Sequence, residues 1–272
     1  MIAVELRKLA RRPRTWITIG LLCLLPAIVA VFLAVTRIGP RPGQGPTLLS
    51  AVLHDGQLYP AAAIGIVLPI FLPVAVAVVA GESIAGEASS GTLRYLLTRP
   101  VSRTRLLVAK LVAVIAFTAV AVAAVAGTGY LAGVFVIGVP PSSAAGLISV
   151  SGTALTPGQL VVRTLLMLAY VGWSMLGVGA VSLFLSTITD SALAAALGGL
   201  AVLVASTVLV SLDAAESVRD WLPTRYWLSW VDLFRDPILW HDVQRGILVQ
   251  AVWIAVLLGM SWAAFTSRDV RS

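Results

Sequence analysis

The side chains of this sequence that could do chemistry gather in one stretch, residues 81–110, where Glu82, Glu87, Arg94, Arg99, Arg103, Arg105 and Lys110 lie between two long apolar runs. Carboxylates and cations in that setting can dock a charged partner surface or pair with one another, and neither role is catalysis. The patterns that catalysis needs are missing. There is no phosphate-cradling G-x-x-x-x-G-K-[ST], so the chain is not expected to hydrolyse ATP itself, and no H-E-x-x-H, G-x-S-x-G or C-x-x-C occurs. His54 and His241 each precede an aspartate in stretches read as solvated loops, and the single cysteine, Cys23, sits inside an apolar run as a buried thiol. Catalytic, cofactor-binding and metal-binding residues are therefore all expected to be absent.

Local signals make the stretch a stiff connector. Leu68-Pro69-Ile70-Phe71-Leu72-Pro73 predicts a kink in the apolar run before it. A short helix carrying Glu82 and Glu87 follows, with Gly91 placed to end it in a left-handed C′ position. Leu93, Leu96 and Leu97 offer an i, i+3, i+4 docking face beside Arg94 and Arg99. Pro100 then interrupts the chain and Ser102 is positioned as an N-cap, while Val101 and Leu106 have the spacing of a hydrophobic staple.

The elements that hold this connector must be membrane helices. Of 272 residues 59% are hydrophobic and only 11% charged, well beyond the composition of a soluble domain. The apolar runs are continuous, not alternating, which selects helices over a barrel. Six spans are predicted, at 16–36, 61–80, 106–137, 160–185, 191–212 and 246–265, in an all-α, polytopic single domain over 1–272. The third exceeds what a bilayer requires and should tilt or project. Residues 1–14 place Ile2, Leu6 and Leu9 on one helical face and Glu5, Arg7, Lys8, Arg11 and Arg12 on the other, predicting an interfacial helix with its charged face toward lipid headgroups. A signal-peptide reading of this end is disfavoured because the apolar run that follows is too long.

A net charge of +7 in a soluble protein would suggest nucleic acid, but its distribution here reports topology. With six spans both termini share a side, which then holds twelve of the nineteen Lys and Arg residues and five of the twelve acids. The positive-inside bias makes that side cytoplasmic. No internal repeat is visible and no span has a charge near its centre, which disfavours an ion-coupled carrier.

The connector resembles the equivalent segment of ATP-binding-cassette (ABC) type-2 exporter permeases. The residues that carry the likeness are Glu82 and Glu87, Gly91-Thr92-Leu93, Leu96-Leu97, Pro100-Val101-Ser102-Arg103, Leu106-Leu107 and Lys110, with Ala109 where glycine is common. The resemblance implies a coupling segment, 81–105, that seats in a groove of a separate cytoplasmic ATPase subunit. Its contact residues would be Glu82, Glu87, Gly91, Thr92, Leu93, Arg94, Leu96, Leu97, Pro100 and Arg103. ATP and Mg would be bound by that partner and not by this chain. A second copy or paralogue of the permease would complete the assembly in the plasma membrane, with the first and fifth spans facing the pathway.

A second informative segment, 213–243, carries Trp221, Tyr226, Trp227, Trp230, Phe234 and Trp240 on the predicted outer side. Amphipathic aromatics at helical spacing suit the headgroup level, so the segment is expected to lie on or dip partly into the outer leaflet. In the resembled family this position forms an external gate, which would assign Trp221, Tyr226, Trp227, Trp230 and Phe234 to it. Gly129 and Gly133, Gly172, Gly177 and Gly179, and Ala194 to Ala196 with Gly198 and Gly199 mark close-packing faces, either within the chain or between subunits. The function expected is that of the permease subunit of an exporter for an amphiphile: a drug, a lipid or a hydrophobic peptide. A secondary carrier or channel, and a membrane scaffold that moves nothing, are the rival classes.

Overall fold

A computed structural model describes residues 1–36, 56–91, 102–138 and 147–267. Helix α1 (Ile2–Arg11) turns at Arg12 into α2 (Pro13–Thr36), with proline at the first helical position where its missing N–H costs nothing. A 3-10 turn, Gly56–Leu58, leads into α3 (Tyr59–Val67), followed by α4 (Phe71–Glu82) and the short α5 (Ala85–Ser89). The long α6 (Arg103–Ala132) is N-capped by Ser102 and prolonged by a π turn, Gly133–Ile137. A small antiparallel ladder, Leu147–Ile148 against Ala154–Leu155, precedes α7 (Pro157–Ile188). Thr156 and Gln159 form a capping box there, starting the helix three residues before the predicted span. Ser191 caps α8 (Ala192–Ser211), α9 is a single turn (Glu216–Arg219), and α10 (Trp240–Ser267) closes the described chain.

Five of these helices are long and apolar enough to cross a membrane, and α3 with α4 forms a bent pair, 59° apart across Leu68 to Ile70. The break falls where expected, because Pro69 has no N–H to return to the preceding turn and its ring crowds that carbonyl. The pair nonetheless runs the whole length of α6. At one end Gly56 donates its N–H to the Gly138 carbonyl; at the other, Glu87 meets Lys110. Those two levels are separated by 28 residues of helix, roughly 40 Å at 1.5 Å per residue, so the pair is a sixth crossing. Arg103, at the start of α6, donates to the Phe265 and Thr266 carbonyls at the end of α10, and Lys110 also meets Glu5. The first and last described helices thus end on the same side of the bundle.

Small residues pack the helices within the chain. A Cβ on Gly129 would lie 2.8 Å from the Ala63 methyl and 3.0 Å from the Pro60 Cα, and one on Gly81 would lie 2.8 Å from the Ala196 nitrogen. Gly177, Gly179, Gly198 and Gly199 face neighbouring helices in the same way, whereas Gly172 has nothing within reach. Apolar faces of α2 and α8, including Leu21, Ile28, Leu197 and Val204, are exposed to the surroundings, as suits helices bathed in lipid or facing another subunit.

Candidate functional site: a buried charge cluster and a sunken aromatic segment

At the end of the bundle shared by the two termini, Lys110 is the centre of an ion cluster. Its Nζ lies 2.9 Å from Glu5 Oε2 and 2.5 Å from Glu87 Oε1, and Lys8 also reaches Glu87. Lys110 is 2% exposed and Glu87 3%, so these charges are desolvated and depend on one another. Burial works to raise the Glu87 carboxyl, but Lys110, and then Lys8, outweigh it and hold it below its ordinary value of 4.5. The carboxylate is therefore ionised at neutral pH. The cluster joins α1, α5 and α6, three elements far apart in sequence, into one unit.

Two sequence expectations are corrected here. Glu5 does not face lipid headgroups: it turns into the protein, because Lys110 needs a second carboxylate and α1 supplies it from its first turn. Glu87 does not present its carboxylate on the surface, since that group is spent on internal pairs. Glu82, at the end of α4, is more accessible and only loosely paired with the exposed Arg14 at 3.8 Å, a contact of small energetic weight. Gly91 ends α5 with φ +70°, as its left-handed C′ role requires. Arg103 is engaged with the end of α10. Thr92, Leu93, Arg94, Leu96, Leu97 and Pro100, together with Val101 of the expected staple, lie outside the described residues.

A residue that sequence reasoning passed over shapes the elbow between α4 and α5. Ser186, fully buried in α7, accepts from the N–H groups of Ile84 (3.1 Å) and Ala85 (2.8 Å) and donates to the Gly81 carbonyl (2.7 Å). One hydroxyl thus satisfies the backbone groups that the turn frees. Ser186→Ala leaves two buried donors without a partner, and the expected loss is about 2–3 kcal/mol in an unfolding titration in mixed micelles. Ser182→Ala, whose hydroxyl has no partner among the described residues, is the control and is expected to cost less.

At the opposite end the aromatic segment, expected on or partly in the outer leaflet, is sunk into the bundle, so that protein covers most of its rings. Trp230 is 2% exposed and Phe234 1%, edge-on to each other with centroids 6.2 Å apart; Tyr226 and Trp227 are also buried, and only Trp221 and Trp240, at 64% and 44%, fit the expectation. The chain here runs through turns and a 3-10 stretch, Ser229–Phe234, rather than an amphipathic helix. Non-helical backbone buried in protein needs partners there, and three of its carbonyls have side-chain donors. Tyr170 donates to the Tyr226 carbonyl (2.6 Å), Gln250 to that of Pro223 (2.6 Å), and Arg163 to that of Arg235 (2.8 Å). Tyr170 and Gln250 lie well inside α7 and α10, so these bonds hold the segment deep between the two helices. Trp230 packs beside Gly65 of α3. Below it a groove of about 310 Å³ lies between the α3–α4 break and α8, lined by Pro69, Ile70, Val74, Leu203, Thr207 and Trp227.

A bent-helix bundle of six crossings, tied at one end by a charge cluster around the connector of spans two and three, is that of an all-α polytopic membrane protein. The sequence profile of the ABC-2 family transporter protein matches residues 1–197, and the chain belongs to that family: it is a multi-pass membrane protein and the permease subunit of an ABC transporter. Permeases of this family are typically non-catalytic, with ATP hydrolysis in a separate subunit. The match covers the charge cluster and stops before the aromatic segment. No curated protein matches the chain.

Proposed function

We propose that the chain is the membrane half of an exporter, driven from the cytosol through residues 81–105. The observation that carries this reading is the cluster of Glu5, Lys8, Glu87 and Lys110, which makes the interfacial helix, the elbow and the third span one rigid body. A displacement of the elbow then moves two spans at once. The cytosolic partner is an ABC-type ATPase that binds ATP and Mg and seats against the connector around Glu82, Gly91 and Arg94. A second copy of the permease, or a paralogue, completes the pathway in the plasma membrane, with both termini cytoplasmic. Closure of the ATPase pair tilts the second and third spans and opens the pathway outward, while the aromatic segment containing Trp221, Tyr226, Trp227, Trp230 and Phe234 acts as the external gate.

The cargo is an amphiphile: a drug, a lipid or a hydrophobic peptide. The groove beside the broken span supports this, having apolar walls. Such a site suits an apolar body. The test is reconstitution in liposomes with and without the soluble ATPase. Uptake of a fluorescent amphiphile into inside-out vesicles is expected only with partner and ATP, and Arg94→Glu is expected to abolish co-purification of the ATPase. Transport by the permease alone would point to a secondary carrier, and ATPase binding without any transport to a scaffold.

A further inference from the structure

The face that α1 turns away from the bundle carries charge that the protein does not balance. Val4, Arg7 and Arg11 follow one another at i, i+3, i+7 along that face, and all three are exposed. The only acid of the helix, Glu5, is spent on Lys110, and Lys8 is spent on Glu87. Among the described residues no carboxylate pairs with Arg7, Arg11 or Arg12, and Arg14 has only Glu82 at 3.8 Å. The opposite end of the bundle is built otherwise: Arg163, Arg225, Arg235 and Arg245 each have an aspartate at 2.8–3.8 Å. One end neutralises its own cations, and the other leaves a strip of them for an anion outside the protein.

The level of α1 along the bundle says which anion that is. Glu5, Lys8, Leu9 and Arg12 line one small cavity together with Val79 and Ser83 of α4 and Lys110, Ala113 and Val114 of α6. Residues 5–12 therefore lie beside the second and third turns of α6, while the first turns of α6 project beyond them. From Val114 to Ile137, α6 and its π turn rise roughly 35 Å at 1.5 Å per residue. The hydrocarbon core is about 30 Å thick, so α1 falls at the headgroup layer. Trp16 marks the same level: its exposed ring stands at the start of α2, just before the exposed Ile17 and Leu21, and its indole N–H donates to the Ala10 carbonyl at the end of α1 (2.8 Å).

We propose that the outer face of α1, through Arg7 and Arg11, binds the anionic headgroups of the leaflet that meets this end of the bundle. Juxtamembrane arginines at this depth are attracted to a negatively charged lipid surface, and Val4, on the same face, suits the boundary between headgroup and acyl chain. Glu5 and Lys8 leave the same helix on its inner side to hold Lys110 and Glu87. Headgroups on one side and the ion cluster on the other therefore clamp α1 between them, and the charge of the leaflet sets how firmly the helix is seated. The inference does not depend on what the chain transports or in which direction.

The test is amide hydrogen exchange of the full chain in nanodiscs of dioleoylphosphatidylcholine, with and without about one-third dioleoylphosphatidylglycerol. Exchange over residues 2–11 is expected to be about tenfold slower in the anionic discs, with residues 222–235 at the opposite end unchanged. The protection is expected to vanish in Arg7→Gln/Arg11→Gln, and at about 1 M salt, where screening confines a charge to about 3 Å. It is expected to persist in Arg7→Lys/Arg11→Lys, which keeps the charge. Equal exchange in the two discs, or protection that the glutamine pair retains, would overturn the proposal. So would protection of residues 2–11 in the neutral discs by the soluble ATPase equal to that given by phosphatidylglycerol, which would make this a protein-docking face.

Discussion

Lys110→Met is expected to be the most damaging single substitution at the end of the bundle shared by the termini, lowering stability by about 3–5 kcal/mol, because it leaves two buried carboxylates facing each other without their shared cation. An unfolding titration in mixed micelles measures it. The compensated variant Glu5→Gln/Lys110→Met/Glu87→Gln removes the three buried charges together, leaving only the part-exposed Lys8, and is expected to recover most of that loss, since a buried ionic group replaced as a set is often near neutral. Glu87→Gln alone is expected to cost less than Lys110→Met, because Lys110 keeps Glu5. The compensated variant also separates structure from function: a folded protein whose elbow is no longer ionically tied to α1 and α6 should lose ATP-coupled transport. Indifference to Lys110→Met would mean the cluster has no structural role.

The second large effect belongs to the other end. Trp230→Ala is expected to cost about 3–5 kcal/mol, the range for removing a fully buried large aromatic. The empty space opens between the aromatic segment and α3, so the loosening should be local first, with residues 222–235 gaining hydrogen exchange before the helices do. Trp221→Ala is the matched control. Its ring is exposed, and what Trp253 binds is the Trp221 backbone carbonyl (2.8 Å), which alanine keeps, so about 0.5 kcal/mol or less is expected. Similar costs for the two substitutions would return the segment to the leaflet surface.

The six crossings were legible in the sequence because a bilayer admits few backbone solutions, and a continuous apolar run of about 20 residues has only one of them. Local punctuation was legible for the same kind of reason: Pro69 at the break, Ser102 as an N-cap and Gly91 at a left-handed position act within a turn of where they stand. Pairings across the chain were not. Glu5 looked like one charge among the cations of an interfacial helix, and nothing near it in sequence announces Lys110, 105 residues on. Ser186 was a single hydroxyl in an apolar run, and its use depends on a turn 100 residues earlier. The tryptophans misled for a chemical reason: an amphipathic ring suits both the headgroup level and a buried site, and composition does not choose between them. What decides is the supply of partners for the backbone around them, and Tyr170, Arg163 and Gln250, which provide it, lie in other helices.

The gap at Leu68 to Ile70 divides the second crossing into two pieces with different allegiances. The first piece, α3, is clamped to α6 by glycine contacts, while the second, α4, packs on α7 and α8. A jointed rod transmits thrust along its length but little torque across the joint. Rotation imposed on α4 is therefore largely spent before it reaches α3, so under the proposed mechanism the two ends of the second crossing need not move together.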